Sequence, residues 1–373
     1  MKIKITYIVS RLIPVGPIFS LRNIISNLPK DKFQVTLITL NENNNQTIID
    51  SFQQMNIKIY PLGTSKIKTL ICSVNDISKV IKGIQPEIIH SHGLMADYVN
   101  SKLKIDSLKV TTLRCFPYED FINNYGKILG SLVIKFFMKN MRNIDNRVAC
   151  SVSLSERIKE RTGMDFIPIP NGLDITNFGK YKAEDKNDLR KKLKLPLNKK
   201  IFISVGNISQ GKDPGILVDV FISDPKDHFL VLLGDGPLLE SLKSKTIASR
   251  NIKFTGKVSN VDEYLGASDF FISASHSEGL PNAVLEAMGS RLPVILSDIP
   301  AHKEILEKDP NCGFLFKVKN KESLYSAIKK LESMDYKLMM HSSETIINNY
   351  FTAKIMSNNY ANYYKTIIKK YHE

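Results

Sequence analysis

The stretch HSEGLPNAVLEAM, His276 to Met288, sets Glu278 and Glu286 eight positions apart around Gly279, Leu280 and Pro281. Pro281 suits the first helical position because it has no N–H to lose there. A helix is therefore expected to begin at Pro281, with Asn282 and Ala283 next. Amides at a helix N-terminus point outward, and the partial positive charge there favours phosphate. Gly279 allows a ligand to approach the backbone closely. Glu286, a little over one turn in, is an acceptor with two oxygens when ionised, which matches two neighbouring hydroxyls such as a ribose diol and repels phosphate. Glu278 must likewise face hydroxyls. A ligand with sugar at both ends and phosphate between meets these demands: a nucleotide-sugar. Spacing alone leaves a second reading open, with Glu278 capping the helix and Glu286 solvated.

Other segments carry candidate chemistry. In SVGNISQGKDP, residues 204–214, Gly206 and Gly211 permit a tight loop after a strand. Lys212 could there neutralise a diphosphate leaving group, or simply be solvated. Gly16 in RLIPVGPIF follows the first strand and could let backbone reach phosphate; a plain loop glycine fits equally. His90 and His92 in HSHG share a face if the strand extends that far. No Asp or Cys converges on them, so hydrogen bonding is expected rather than metal binding. No Asp-x-Asp motif occurs in a suitable place, so no catalytic metal is expected, and no cofactor beyond the nucleotide-sugar as co-substrate. The absence of G-x-G-x-x-G after the first strand and of a Walker A motif argues against dehydrogenases and P-loop enzymes.

Elements must hold these residues. The chain has 373 residues, enough for two domains with separate cores. KIKITYIVS, FQVTLITL, IKIYPLG, PEIIHSHG, LKVTTLRC and NRVACSVS read as strands, several with helical segments between them. KKIFISVGN, HFLVLLGDG, NIKFTG, ASDFFISAS, LPVILSD and CGFLFKV repeat the pattern. Such alternation predicts parallel sheets covered on both faces. Ligands in these sheets bind at the carboxyl ends of strands, and with two such domains the cleft between them is the expected site. The boundary is placed near Gly172: an N-terminal domain 1–172, a C-terminal domain 173–350 with a linker at about 173–199, and a helix 351–373. GDGP at Gly234 to Pro237 is a turn signal, weak by itself.

Charge narrows the partners. The net charge is +15, and residues 1–170 hold 23 Lys and Arg against 13 Asp and Glu. Anionic partners follow: phosphorylated small molecules, acidic membrane or nucleic acid. A compositional bias towards Lys, Asn and Ile with no functional meaning also fits. No nucleic-acid-binding motif appears, so nucleic acid is not expected as a partner. GKILGSLVIKFFMKNMRN sets Lys127, Lys135, Lys139 and Arg142 among Ile, Leu, Val and Phe, which suits a membrane interface or an ordinary half-buried helix. No apolar run is long enough to span a membrane and the N-terminus has no signal-peptide layout, so a cytoplasmic protein is expected. Cys72, Cys115, Cys150 and Cys312 are widely spaced and read as reduced structural thiols.

Taken together the segments resemble the retaining glycosyltransferases of family 4, with the GT-B fold, over nearly the whole chain. SEGLPNAVLEAM is similar to that family's E-x7-E element and is followed by LPVILSD. IPNGLD resembles its domain junction, and GDGP and NIKFTGKV fall in the expected order after VGNISQGK. The resemblance implies two Rossmann-like domains facing each other across a cleft, the C-terminal helix returning to the N-terminal domain. It implies that Glu286 binds ribose, that Glu278 contacts the transferred sugar, and that Lys212 binds diphosphate with Gly16 and the amides of Asn282 and Ala283. Lys257 and Val258 would lie near the base, and His92 near the anomeric carbon and acceptor. Asn207, Gly279 and Leu280 complete the implied donor set, and His92, Lys212 and Glu278 form the implied catalytic set. The pattern is broken at Asn207, where an arginine is usual, at Asp213, where a glycine is usual, and near Arg291, where a glycine is displaced. The first loop has VGP where many members have paired glycines.

The expected activity is transfer of a sugar from a UDP-linked donor to an acceptor hydroxyl, with retention, in bacterial capsule, lipopolysaccharide or exopolysaccharide assembly. The acceptor is expected to be a glycan or lipid-linked, with peripheral contact to anionic membrane. A nucleotide-sugar epimerase of the same fold and a non-catalytic partner subunit are the alternatives.

Overall fold

The computed structural model describes residues 2–41, 48–63, 73–176, 178–181, 183–224 and 227–373. Cys72 lies outside these residues. The chain forms two compact units: Met1–Gly172 with Ala353–Glu373, and Leu173–Thr352.

The first unit is built on β1 (Ile3–Val9), β2 (Phe33–Thr39), β3 (Lys58–Pro61), β4 (Ile88–His92), β5 (Leu108–Leu113), β6 (Asn146–Ala149) and β7 (Ile167–Pro168). They pair in parallel in the order β3-β2-β1-β4-β5-β6-β7. A parallel sheet is covered on both faces, and β1 shows why its sequence is a continuous apolar run. Ile5, Tyr7 and Val9 enter one core, with residues of helices Gly16–Asn27 and Ala353–His372. Ile8 points to the other, with Ile77, Ile81, Ala96 and Val99. The terminal helix is thus part of this unit's core: Tyr360 and Tyr364 are fully buried. The Tyr364 hydroxyl lies 2.9 Å from that of Tyr7, and the Tyr360 hydroxyl 2.9 Å from Thr112 Oγ1. Each buried aromatic ring contributes about 2 kcal/mol.

The second unit repeats the scheme with β8 (Lys200–Val205), β9 (His228–Leu233), β10 (Ile252–Gly256), β11 (Phe270–Ser273), β12 (Val294–Ser297) and β13 (Gly313–Phe316). Their parallel order is β10-β9-β8-β11-β12-β13. In both sheets the order reverses beside the first strand, at β1/β4 and at β8/β11. A doubly wound sheet opens a crevice at the carboxyl ends of such a strand pair.

One expectation needs correction. Residues 173–199 are not a free linker: helix Lys186–Lys192 packs into the second unit. Its Arg190 is buried and donates to Asp269 Oδ2 at 2.6 Å and to the Ala267 carbonyl at 2.9 Å. The short edge strand β7, just ahead of the boundary near Gly172, was not among the expected strands. The last helix is Ala353–His372, preceded by Tyr336–Tyr350, which ends at Phe351.

Candidate active site

At the β8/β11 switch point two loops meet. The loop after β8 runs from Gly206 to Asp213, and the loop after β11 from Ala274 to Pro281. Backbone bonds tie them: the His276 N–H donates to the Gly211 carbonyl at 2.8 Å. The His276 ring donates through Nε2 to Asp213 Oδ2 at 2.9 Å. Asp213 has φ +44°, a left-handed conformation that glycine adopts without strain. That accounts for glycine being usual there; in this chain the aspartate is held in the conformation by its tie to His276. Arg291 likewise has φ +63° and pairs with Glu344 at 2.8 Å.

Across the tied loops Lys212 Nζ donates to Glu278 Oε1. Ser275 Oγ donates to the same oxygen at 2.8 Å. Glu278 is far more enclosed than Lys212, with 14% of its side chain exposed against 37%. Burial by itself would raise its carboxyl, but Lys212 above all, with His302 and Ser275, draws it below the usual range. Ser275 is itself fixed, since its carbonyl accepts from Ser297 Oγ at 2.6 Å. His302 is fully buried, and burial lowers its ring to about 4, so it is neutral at pH 7. Its Nδ1 donates to the Ser297 carbonyl at 2.8 Å.

The helix begins one residue later than expected. It spans Asn282–Gly289, with Pro281 as N-cap in extended conformation. The Val284 and Leu285 N–H groups donate to the Pro281 carbonyl. This leaves the amides of Asn282 and Ala283 ahead of the ladder, at the positive end of the helix. Gly279 and Leu280 are buried beneath the turn. Glu286 is not the solvated helix residue of the bland reading. It is half-buried, no cation pairs with it among the described residues, and burial pushes its carboxyl up to about 7.

GDGP proves to be the underside of the β8 loop. The Gly206 N–H donates to the Leu233 carbonyl and the Ile208 N–H to the Asp235 carbonyl, each at 2.9 Å. A Cβ on Gly234 would lie 1.8 Å from the Gly206 oxygen, and one on Gly236 2.4 Å from Asn207 Oδ1. Asn207 is exposed on this loop. Lys257, exposed, and Val258, half-buried, follow β10 on the adjoining loop.

The other two nominated residues lie in the first unit, at its own switch point. Gly16 opens helix Gly16–Asn27 after β1, and His92 ends β4. His90 and His92 do share a face, with rings stacked 4.3 Å apart. Their duties differ. His90 is bound on both nitrogens, by Tyr364 Oη at 2.7 Å and Thr112 Oγ1 at 2.8 Å. Both His92 nitrogens are buried without a partner, and burial, then His90, holds the ring neutral. Arg114, just past β5, donates to Asn171 Oδ1, while its Nε and Nη2 are buried and unpartnered. Sequence reading passed over Arg114, Ser275, His276, Ser297 and His302. None stands in a repeating or spaced pattern; only the switch-point geometry brings them in.

The Glycosyl transferases group 1 model matches residues 185–349, and the Glycosyl transferase 4-like model residues 10–104. A relative is the O-antigen biosynthesis glycosyltransferase WclY of Escherichia coli, 25% identical, with 98% of this chain and 99% of that one covered. The chain is a glycosyltransferase. A second relative is the putative teichuronic acid biosynthesis glycosyltransferase TuaC of Bacillus subtilis, 28% identical over 67% of this chain and 62% of that one. Anabaena Alr3699/HepE, solved in complex with UDP and glucose, superposes with TM-score 0.80 at 17% identity, over 98% of this chain and 100% of that one. These two Rossmann-like units are therefore the make-up of the GT-B fold. In this glycosyltransferase the group 1 match contains the Lys212–Glu278 pair and Glu286.

Proposed function

We propose that the chain moves a sugar from a UDP-linked donor to a hydroxyl of a glycan or lipid-linked acceptor in bacterial surface polysaccharide assembly, with retention and without a metal. The Lys212–Glu278 pair at the β8/β11 switch point carries this reading. Each member holds a place for a different part of the donor. Diphosphate replaces Glu278 as the partner of Lys212, and sugar hydroxyls replace Lys212 as the partner of Glu278. The Asn282 and Ala283 amides add positive potential for the phosphates. Lys257 and Val258 are assigned to the base, and Gly16 to phosphate from the first unit. Polysaccharide assembly is supported by the names of WclY and TuaC, and UDP by the ligand of HepE.

In the reaction the bond from the anomeric carbon to the phosphate oxygen breaks and a bond to the acceptor oxygen forms on the same face. The acceptor proton passes to the departing phosphate oxygen. Lys212 and the helix N-terminus stabilise the charge that develops there, where fixed donors are worth most. No carboxylate nucleophile takes part, unlike the paired acids of glycosidases. His92, neutral and with open nitrogens, is assigned to hydroxyls near the reacting centre. A thermal-shift panel of UDP-, GDP- and ADP-sugars tests the donor, with NMR of the product for its anomeric configuration. UDP-sugars are expected to stabilise the chain, and Glu286→Ala to abolish that shift; an unchanged shift removes the ribose assignment.

The acceptor side rests on helix Lys127–Met141. Ile128 is 84% exposed, and Leu129, Leu132 and Phe136 are exposed beside it, interleaved with Lys127, Lys135, Lys139 and Arg142. No described helix is long and apolar enough to cross a membrane. An outward apolar face flanked by cations suits lying on an anionic bilayer. Flotation with anionic liposomes at low salt is expected to carry the chain, and Ile128→Glu with Leu132→Glu to release it. Failure of the unaltered chain to float would sink the membrane assignment.

A further inference from the structure

His302 is joined to the Lys212–Glu278 pair by a chain of hydrogen bonds. Its ring Nδ1 is 2.8 Å from the Ser297 carbonyl and 3.1 Å from Ser297 Oγ. Ser297 Oγ gives its one proton to the Ser275 carbonyl at 2.6 Å, and Ser275 Oγ donates to Glu278 Oε1 at 2.8 Å. The Ser297 carbonyl can only accept, so Nδ1 carries the ring proton and Nε2 is a bare lone pair. That Nε2 is buried without a partner, in a side chain with no exposed surface. A buried acceptor without a donor is costly, and a proton on it would end that cost where a negative charge stands near.

The charges that act on the ring are the two members of the pair. Burial keeps the ring neutral; Glu278, with the Ser297 carbonyl, favours its charged form, and Lys212 opposes it. The action is mutual. Burial raises the Glu278 carboxyl, Lys212 lowers it most, and His302 is the next charge to do so. Strands β11, β12 and β13, with sequences FFIS, VILS and GFLF, carry no charge. On His302's own helix, Pro300–Leu306, Lys303 and Glu304 follow it, and neither is among the charges that shift the ring. Asp298, ahead of that helix, accepts from the Val318 N–H at 3.0 Å, and Asp213 from the His276 ring at 2.9 Å. In the free chain Lys212 supplies the cation that Glu278 needs, and a second cation on His302 would repel it.

We propose that His302 is the positioning residue of Glu278: when Lys212 turns to the donor diphosphate, His302 takes a proton from solvent at Nε2, and its imidazolium becomes the cation that keeps Glu278 ionised and in place for the sugar hydroxyls. Lys212 can then serve the leaving group without stranding a buried carboxylate, which destabilises strongly. The Nδ1–Ser297 bond survives the change, since Nδ1 keeps its proton and the ring need not turn. The event that draws Lys212 away rests on the donor reading above; the latent His302–Glu278 pair does not.

The test is an NMR titration of the histidine ring nitrogens in the full chain without donor, with His302→Gln identifying the His302 signals among the seven histidines. In the parent, the neutral His302 ring is expected to carry its proton on Nδ1 and to titrate at about 4. Lys212→Met is expected to raise that midpoint to about 6, because the opposing charge is gone and Glu278 still acts on the ring. Lys212→Gln gives the same reading should the methionine variant fold poorly. Adding Glu278→Gln to either is expected to return the midpoint to the parent value or below, which a loosened or unfolded chain would not do. Lys212→Arg keeps the charge and is expected to leave the midpoint low. An unmoved midpoint in both lysine variants, a rise that survives Glu278→Gln, or a parent ring protonated on Nε2 instead of Nδ1 would each overturn the proposal. No sample contains a nucleotide-sugar, so failure here is distinguishable from failure of the donor assignment, which the thermal-shift panel reads.

Discussion

Glu286 and Glu278 are both glutamates of one turn-and-helix segment, yet their surroundings drive them apart. Glu278 has a lysine and stays ionised; Glu286 has none and is held near 7 by burial. A carboxyl whose folded value is raised favours the fold while protonated. Its contribution is complete below the unfolded value near 4.5 and is lost as pH rises through about 7. Glu286→Gln removes this dependence. The variant is expected to gain on the parent as pH goes from about 5 to 8, by at most about 3 kcal/mol. Thermal unfolding across that range measures it, and a constant difference would show that Glu286 is not held protonated. Donor affinity carries the opposite trend, because a diol needs the ionised carboxylate as acceptor. Tightening of UDP-sugar binding from pH 6 to about 8 is expected in the parent and not in the variant. The spacing of the two glutamates was legible in the sequence, and so was their relation to a helix start. Their difference in ionisation was not, because it depends on Lys212, 66 positions from Glu278 in the chain.

Elements explain why weak local signals become strong constraints. Apolar runs located twelve of the thirteen strands among the described residues, since buried parallel strands need apolar residues on both faces. The thirteenth, β7, has two residues, too few for any period. Helix Pro117–Tyr125 was missed because its polar face, with Glu119, Asp120, Asn123 and Asn124, dilutes the apolar signal. GDGP looked like an ordinary turn, yet Gly234 has φ +138° and abuts the backbone of Gly206. That contact sets the height of the loop that carries Lys212. Gly234→Ala is expected to push the loop outward, destabilising the second unit by about 2 kcal/mol or more through overpacking and backbone strain. It is also expected to weaken donor binding more than Lys257→Ala, which removes one exposed side chain and leaves the loop in place. Chemical denaturation and donor titration of both variants measure this. Equal donor affinities in the two variants would mean that the glycine contact does not position Lys212.

At the scale of the molecule, the chain passes from the first unit to the second at Gly172 and returns at Ala353. The last helix therefore ties a segment that follows the second unit to the stability of the first. Tyr360, Tyr364, Met356, Ala361 and Ile367 belong to the core formed by β1 and helix Gly16–Asn27. Ser357 Oγ donates to the Ile24 carbonyl at 2.9 Å, and the Gly172 N–H points to Met356 Sδ at 3.2 Å. Removing the helix also strips His90 of its Tyr364 partner, leaving a buried imidazole nitrogen without a hydrogen bond. Two large aromatic rings, an isoleucine and a methionine are lost from one core, several kcal/mol against the marginal stability of a domain. A chain ending at Thr352 is expected to lose the cooperative unfolding of the first unit. The second unit, whose main core cluster draws no described residue from Ala353–His372, is expected to keep its own. Hydrogen exchange read by mass spectrometry distinguishes the units: β1, β4 and β5 should exchange freely while β8, β9 and β11 stay protected. Equal protection in both would show that the terminal helix only covers the first unit. Because His92 sits on β4, the truncated chain should also lose sugar transfer while retaining UDP binding by the second unit.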